Sequence, residues 1–197
     1  MRDRMRRRTG GKHPLRSRGS TILEFALAAS FVFLPLLAGT ATVGMSMLRS
    51  MKVQALNRNV AHMFATGVDF SQAANRNLVL KIAGSLHIQD SGGSGVILLT
   101  EIDGTGNGQA VCARRIVIGN AALRASSYVT PASSVLDSGG AVTNLNDPSA
   151  RVNAAFLTMM PMSQGDVVYL AETYFSTSDY DWAGFLTGTG IYTKAMF

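Results

Sequence analysis

The chain has 197 residues and a formal net charge of +6, but residues 1–18 hold eight of its Arg and Lys against the single acid Asp3. The other 179 residues carry ten bases and eleven acids, so the basic excess describes a tail with no aromatic residue for base stacking, and nucleic-acid binding is not expected. A single cysteine, Cys112, excludes an intrachain disulfide, and any domain in an oxidising compartment must rest on its core, which about 130 residues can supply.

The basic tail runs directly into an apolar stretch. Between Arg18 and Arg49 the only ionisable side chain is Glu24, and Phe25 to Leu48 is an uncharged run of 24 residues. At about 1.5 Å per residue such a helix is roughly 36 Å long, enough to cross a bilayer core of about 30 Å. The positive-inside rule keeps the basic leader in the cytoplasm and places the chain beyond the span outside. Gly39-Thr40-Ala41 offers small residues where a signal peptidase would cut, but run and leader are both longer than a cleaved signal needs. A plain signal also has no use for an acid at the cytoplasmic edge of its apolar run. A carboxylate there is costly, by about 2.5–3.5 kcal/mol at mid-bilayer and less near the interface, so Glu24 is a functional residue by expectation. Pro35 lies mid-span, where it removes a backbone donor and bends a helix, a kink or a hinge. Gly39 and Gly44 are five apart and make no close-packing GxxxG motif.

Residues 18–25 read Arg-Gly-Ser-Thr-Ile-Leu-Glu-Phe. This resembles the cleavage site of type IV prepilins. The resemblance implies a cut by a prepilin peptidase after Gly19, a mature chain beginning at Ser20, and Glu24 as its fifth residue, paired with the new amino terminus during assembly. Glycine suits the last leader position because a tight protease site favours a residue without Cβ. Together with Leu23-Glu24-Phe25-Ala26-Leu27, Leu34-Pro35-Leu36-Leu37, Gly39 and Gly44, the stretch is similar to the N-terminus of TadE/TadF-like minor pseudopilins of the tight-adherence (Flp, type IVc) pilus system. Arg58 to Ala65 resembles a helix end in that family but departs from it at His62 and Met63. The implied partners are the prepilin peptidase, other pilins and pseudopilins, the inner-membrane pilus assembly machinery and membrane lipid. The competing expectation is an uncleaved, signal-anchored extracytoplasmic binding module.

Past the span, Val53, Leu56, Val60 and Phe64 recur at spacings of three and four opposite Lys52, Asn57, Arg58 and Asn59, a stripe that extends the helix and packs either on its own domain or on a neighbour's helix. Gly67 is the expected stop. A second helix is expected from Ser71, as cap, to Leu86, with Leu78, Ile82 and Leu86 on its packed side. Gly95–Ile102 and Gln109–Ile118 read as strands joined by a loop over 103–108, and Asp166–Phe175 as a third. Residues 119–164 lack a sustained period and suggest a long loop with short helices. The expected fold is α+β: leader 1–19, transmembrane helix 20–48, helix extension 49–67, and an extracytoplasmic domain over 68–197 with a few antiparallel strands.

Signs of catalysis are absent. Asp103, Thr105, Asn107 and Gly108 begin like a calcium loop, but position 12 is Arg114, so a simple turn is expected. Gly92–Gly95 and Gly104–Gly108 lack the lysine and following helix of a phosphate loop. His13, His62 and His87 form no spaced ligand pair. Asp179, Tyr180, Asp181 and Trp182 read as a solvated loop or a recognition patch, and Met159, Met160 and Met162 as core filler or contact surface. Cys112 is expected to be buried inside its strand. Neither an enzymatic activity, nor a metal, nor a cofactor is expected.

Overall fold

The computed structural model describes residues 18–89, 92–177 and 190–197. The chain divides into two compact units, residues 1–43 and 44–197. The first unit is described as helix alone, the beginning of α1 (Arg18–Ala65). Its large apolar side chains are exposed on all sides, with Phe25 at 74% and Phe31 at 82%. A helix apolar all round belongs in a core or a bilayer, and no part of its most apolar stretch is buried. The hydroxyls of Ser30, Thr40 and Thr42 donate to the helix's own carbonyls at Ala26, Leu37 and Ala38 (2.8, 2.9 and 2.7 Å), so each is satisfied within the helix. Pro35 lies inside the helix. Among the described residues, this is the one helix long and apolar enough to cross a membrane.

In the second unit α1 continues to Ala65 and changes character. Val53, Leu56, Val60 and Phe64 are buried in a core with strand residues Ile97, Leu99, Ile116, Ile118 and Ala171. The stripe therefore packs on its own domain. Its face is wider than expected: Asn57, four residues after Val53 and three before Val60, is buried too and accepts a hydrogen bond from Thr173 Oγ1 at 2.8 Å. The helix stops as glycine dictates. Gly67 has φ +88°, its N–H donates to Phe64 and that of Val68 to Met63 (both 3.0 Å), and together these close the last turn in a Schellman arrangement.

Helix α2 (Ala73–Ile82) is shorter than expected, with a single 3₁₀ turn over Gly84–Leu86 after it. Ser71 is not its cap. Its N–H and hydroxyl both donate to Asp69 (3.0 and 2.7 Å), and Gln72 takes the cap position without a capping side chain. The packed side is shifted as well. Val79, Ala83 and Leu86 are buried, whereas Leu78 and Ile82 are nearly half exposed. Arg76, one turn before Val79, reaches the carbonyl of Val117 at 3.3 Å and fixes that face toward the sheet.

Four antiparallel strands, β1 (Gly95–Gly106), β2 (Gln109–Gly119), β3 (Val167–Phe175) and β4 (Ile191–Met196), lie in the order β2-β1-β3-β4. The expected six-residue loop between β1 and β2 is a two-residue turn. Asn107 and Gly108 both have positive φ (54° and 67°), as the tight hairpin turn matching strand twist requires. Asp103 and Thr105 are thereby strand residues, Asp103 paired with Val111. The short β4 is an addition to the three expected strands. Residues 120–162 cover the second face of the sheet with short 3₁₀ turns and helix α3 (Ala154–Met159). They supply Val129, Val135, Val142, Ala150, Val152 and Phe156 to a core shared with Ile102, Cys112, Val168 and Leu170. The sheet thus separates two cores, helical on one side and irregular on the other.

Candidate functional site

Two places carry groups whose chemistry goes beyond packing, one in each unit. In the first, the Gly19–Ser20 bond lies at the start of the described part of α1. Glu24 lies four residues beyond Ser20, one turn along the same face, on the exposed surface between Leu23 and Phe25. Pro35 lies three turns further, where the missing N–H leaves the carbonyl of Phe31 without its helical donor.

The second place lies on the face of the sheet beneath residues 120–130, and its centre is Glu172. The register of β3 with β4 sets Glu172 beside Lys194 and Tyr174 beside Tyr192. Glu172 is 1% exposed. A carboxylate so deep needs donors, and it has them: the hydroxyl of Ser126, the N–H of Ser127 at 3.0 Å and the hydroxyl of Tyr192 at 2.5 Å. Burial, then the bond to Glu172, pushes the Tyr192 phenol well above its ordinary value. The Arg124 guanidinium stacks over the Tyr192 ring at 4.1 Å and the Tyr174 ring at 5.5 Å, a favourable cation–π geometry. Arg115, also buried, donates to the carbonyl of Val129 at 3.1 Å. Burial lowers its pKa and the charge of Glu172 opposes that shift. Lys194 donates to the Tyr128 hydroxyl and lies 3.5 Å from the Met159 sulfur.

All these contacts fasten the 124–129 segment to β2, β3 and β4. The hydroxyls of Ser126 and Tyr192 both donate to the Glu172 carboxylate, which thus serves as a shared acceptor inside the fold. Sequence reading misses this cluster, because its members are spread from Arg115 to Lys194 and only the sheet register unites them. The one local signal is Glu172 itself, an acid inside the apolar strand Val-Val-Tyr-Leu-Ala-Glu-Thr-Tyr-Phe.

The remaining sequence-level assignments divide clearly. Cys112 is buried in β2 as expected, and burial pushes its thiol up to about 12. Met162 fills the second core, Met160 packs against it, and Met159 is 46% exposed. His62 meets the ring of Phe197 edge-on at 6.1 Å. Asp103 has one carboxylate oxygen buried without a hydrogen-bond partner, and desolvation raises its pKa. Among the described residues no group of three or more His, Cys, Asp or Glu could hold a metal ion. Asp179, Tyr180, Asp181, Trp182 and His13 lie outside the described residues. Comparison with protein-family models, with curated proteins and with solved structures returned no match.

Proposed function

We propose that this chain is a minor pseudopilin of the TadE/TadF-like kind, matured by a prepilin peptidase after Gly19 and acting in the assembly of a tight-adherence pilus. The observation that carries the reading is the single acid of the apolar span, Glu24, at the fifth position after a glycine that ends a basic leader. Two features support it. The long apolar helix that bears Glu24 shows no burial along its most apolar stretch, as a membrane-anchored segment requires. The domain itself supplies extensive packing and no catalytic constellation among the described residues, which suits an assembly role.

In this reading the leader stays in the cytoplasm, α1 spans the inner membrane, and the sheet domain lies outside. Cleavage frees an ammonium at Ser20 about one turn from Glu24, and in a low dielectric the two charges attract strongly, within one chain or between neighbours. The deciding experiment is amino-terminal sequencing of the protein extracted from membranes of the native host. It should begin at Ser20. A start at Met1 would leave an uncleaved anchor bearing a binding module, and a start near Thr42 would make the apolar run a signal peptide. A periplasm-active reporter fused after Phe197 should be active, and activity restricted to a cytoplasm-dependent reporter reverses the topology.

A further inference from the structure

The turn between β1 and β2 holds a chemically reactive pair. Of the asparagines in the chain, Asn107 alone is followed by glycine. The backbone nitrogen after an asparagine can attack its side-chain amide, and it does so most readily when it belongs to glycine, because no Cβ crowds the approach. The Gly108 nitrogen, having lost its proton, bonds to the Asn107 Cγ, and ammonia leaves. Water then opens the cyclic imide at one of its two carbonyls. One product is an ordinary aspartate; the other is an isoaspartate, in which the main chain runs through the former side chain and is one methylene longer.

Asn107 and Gly108 are both exposed, so water and hydroxide reach them. Their backbone holds the reaction back. With φ of 54° at Asn107 and 67° at Gly108, and with Gly106 paired to Gln109 around them, the two residues form a type I′ turn. That turn mirrors type I, with ψ about +30° at its first central residue, which sets the Gly108 nitrogen on the far side of the Cα–C bond from the Asn107 Cβ. The imide ring needs the nitrogen eclipsed with Cβ, a rotation of about 150° from the turn's own ψ. No side-chain rotamer makes up for this, since the Cα–C bond is itself part of the ring.

We propose that Asn107 is a site of spontaneous deamidation that the hairpin turn holds shut, so that conversion runs only through molecules in which the turn has opened. The end of this hairpin is suited to open on its own. The ladder is irregular between Gly104 and Gly106, Gly106 adds a third consecutive positive φ of 88°, and chain ends of a sheet open at a fraction of the global free energy. The two products then part ways. Asp-Gly suits the same turn, so the aspartate form closes again with one added negative charge. The isoaspartate form has an extra methylene in a turn of two residues and does not restore the pairing of Gly106 with Gln109. The inference is independent of maturation and of any role in a pilus.

The test incubates the full chain in detergent at mildly alkaline pH beside a blocked peptide of residues 103–111. Mass spectrometry with fragmentation follows conversion at Asn107. The folded chain should convert at least about tenfold more slowly than the peptide, the weight of a modest local opening free energy, and urea should bring it to the peptide's rate. Gly106→Ala sets a Cβ at positive φ without altering the reacting pair. It should speed conversion of the folded chain about fivefold and leave that of the matching peptide unchanged. Asn107→Asp should keep the slow hydrogen exchange of the Gly106 and Gln109 amides, whereas the isoaspartate form, isolated after ageing, should lose it. Equal rates for folded chain and peptide, a Gly106→Ala chain converting no faster than the wild type, or an isoaspartate form with wild-type exchange at those amides would overturn the proposal.

Discussion

Glu24 and Glu172 are two carboxylates in apolar sequence with opposite fates. Glu172 is enclosed by three donors, and replacing it with Gln keeps the shape but removes the charge those donors and Arg115 face. Glu172→Gln should destabilise the domain by about 1–3 kcal/mol, read as a shift in the denaturation midpoint at constant slope. Glu24 lies exposed on its helix, and its loss should leave folding intact. Glu24→Val protein should insert and accumulate at the wild-type level while piliation or surface adhesion falls sharply, and normal piliation at that level would remove the role proposed for it. A third acid tests the electrostatics by sign. Asp103 is raised by desolvation, so its folded pKa exceeds its unfolded one and it weakens the fold at neutral pH, relieved as pH falls through the raised value. Asp103→Asn should raise the melting temperature by about 1–3 °C at pH 7, and the gain should vanish near about pH 3. At this scale the sequence is legible where a residue's own strand decides its environment. Cys112 in an apolar strand is such a case. Asn57 reads as one of several polar neighbours, although its spacing to Val53 and Val60 puts it on the stripe. Glu172 is invisible as a centre because its partners arrive from other elements.

Among elements, periodicity and punctuation succeed where both are present. The α1 stripe and its glycine stop appear where expected. Gly67 shows the cost of that stop: no atom lies within 4 Å of a Cβ built there, so Gly67→Ala meets no clash and pays only for φ +88°. About 1 kcal/mol of stability should be lost, measurable by denaturant titration, with no change in helix content. The hairpin reads too loosely because its Asp, Thr and glycines look like a loop, yet the Asn-Gly step alone makes the turn, and Asp103, Gly104 and Gly106 stay in the ladder with Thr105 bulged between them. Helix α2 reads too long because Leu78, Ile82 and Leu86 keep a helical spacing, which the sheet overrides by engaging Arg76 and Val79. Strand β4 escapes notice because it has six residues, with only Ile191 and Ala195 as plainly apolar positions on its helix-facing side.

Over the whole molecule, the broad plan of the described residues is readable from hydropathy: one long apolar helix followed by an α+β domain with antiparallel strands. The two-core arrangement is not, because residues 119–164 have no period, and their packing is specified only by the sheet face they cover. The domain also has an order of completion built into it. The stripe on α1 is made early in synthesis, and its partners are spread from Phe70 and Val79 through Ile97 and Ile118 to Ala171, Phe175 and Ile191, while the Asn57–Thr173 bond spans 116 residues of chain. Closing so long a loop is entropically costly and slow. The apolar stripe therefore gains its shelter in stages, first from α2 and the β1–β2 hairpin and only later from β3 and β4. A chain cut shortly before Ile191 should keep the earlier part of that core and lose its closing strand, which a lowered thermal transition with little change in helix content would register.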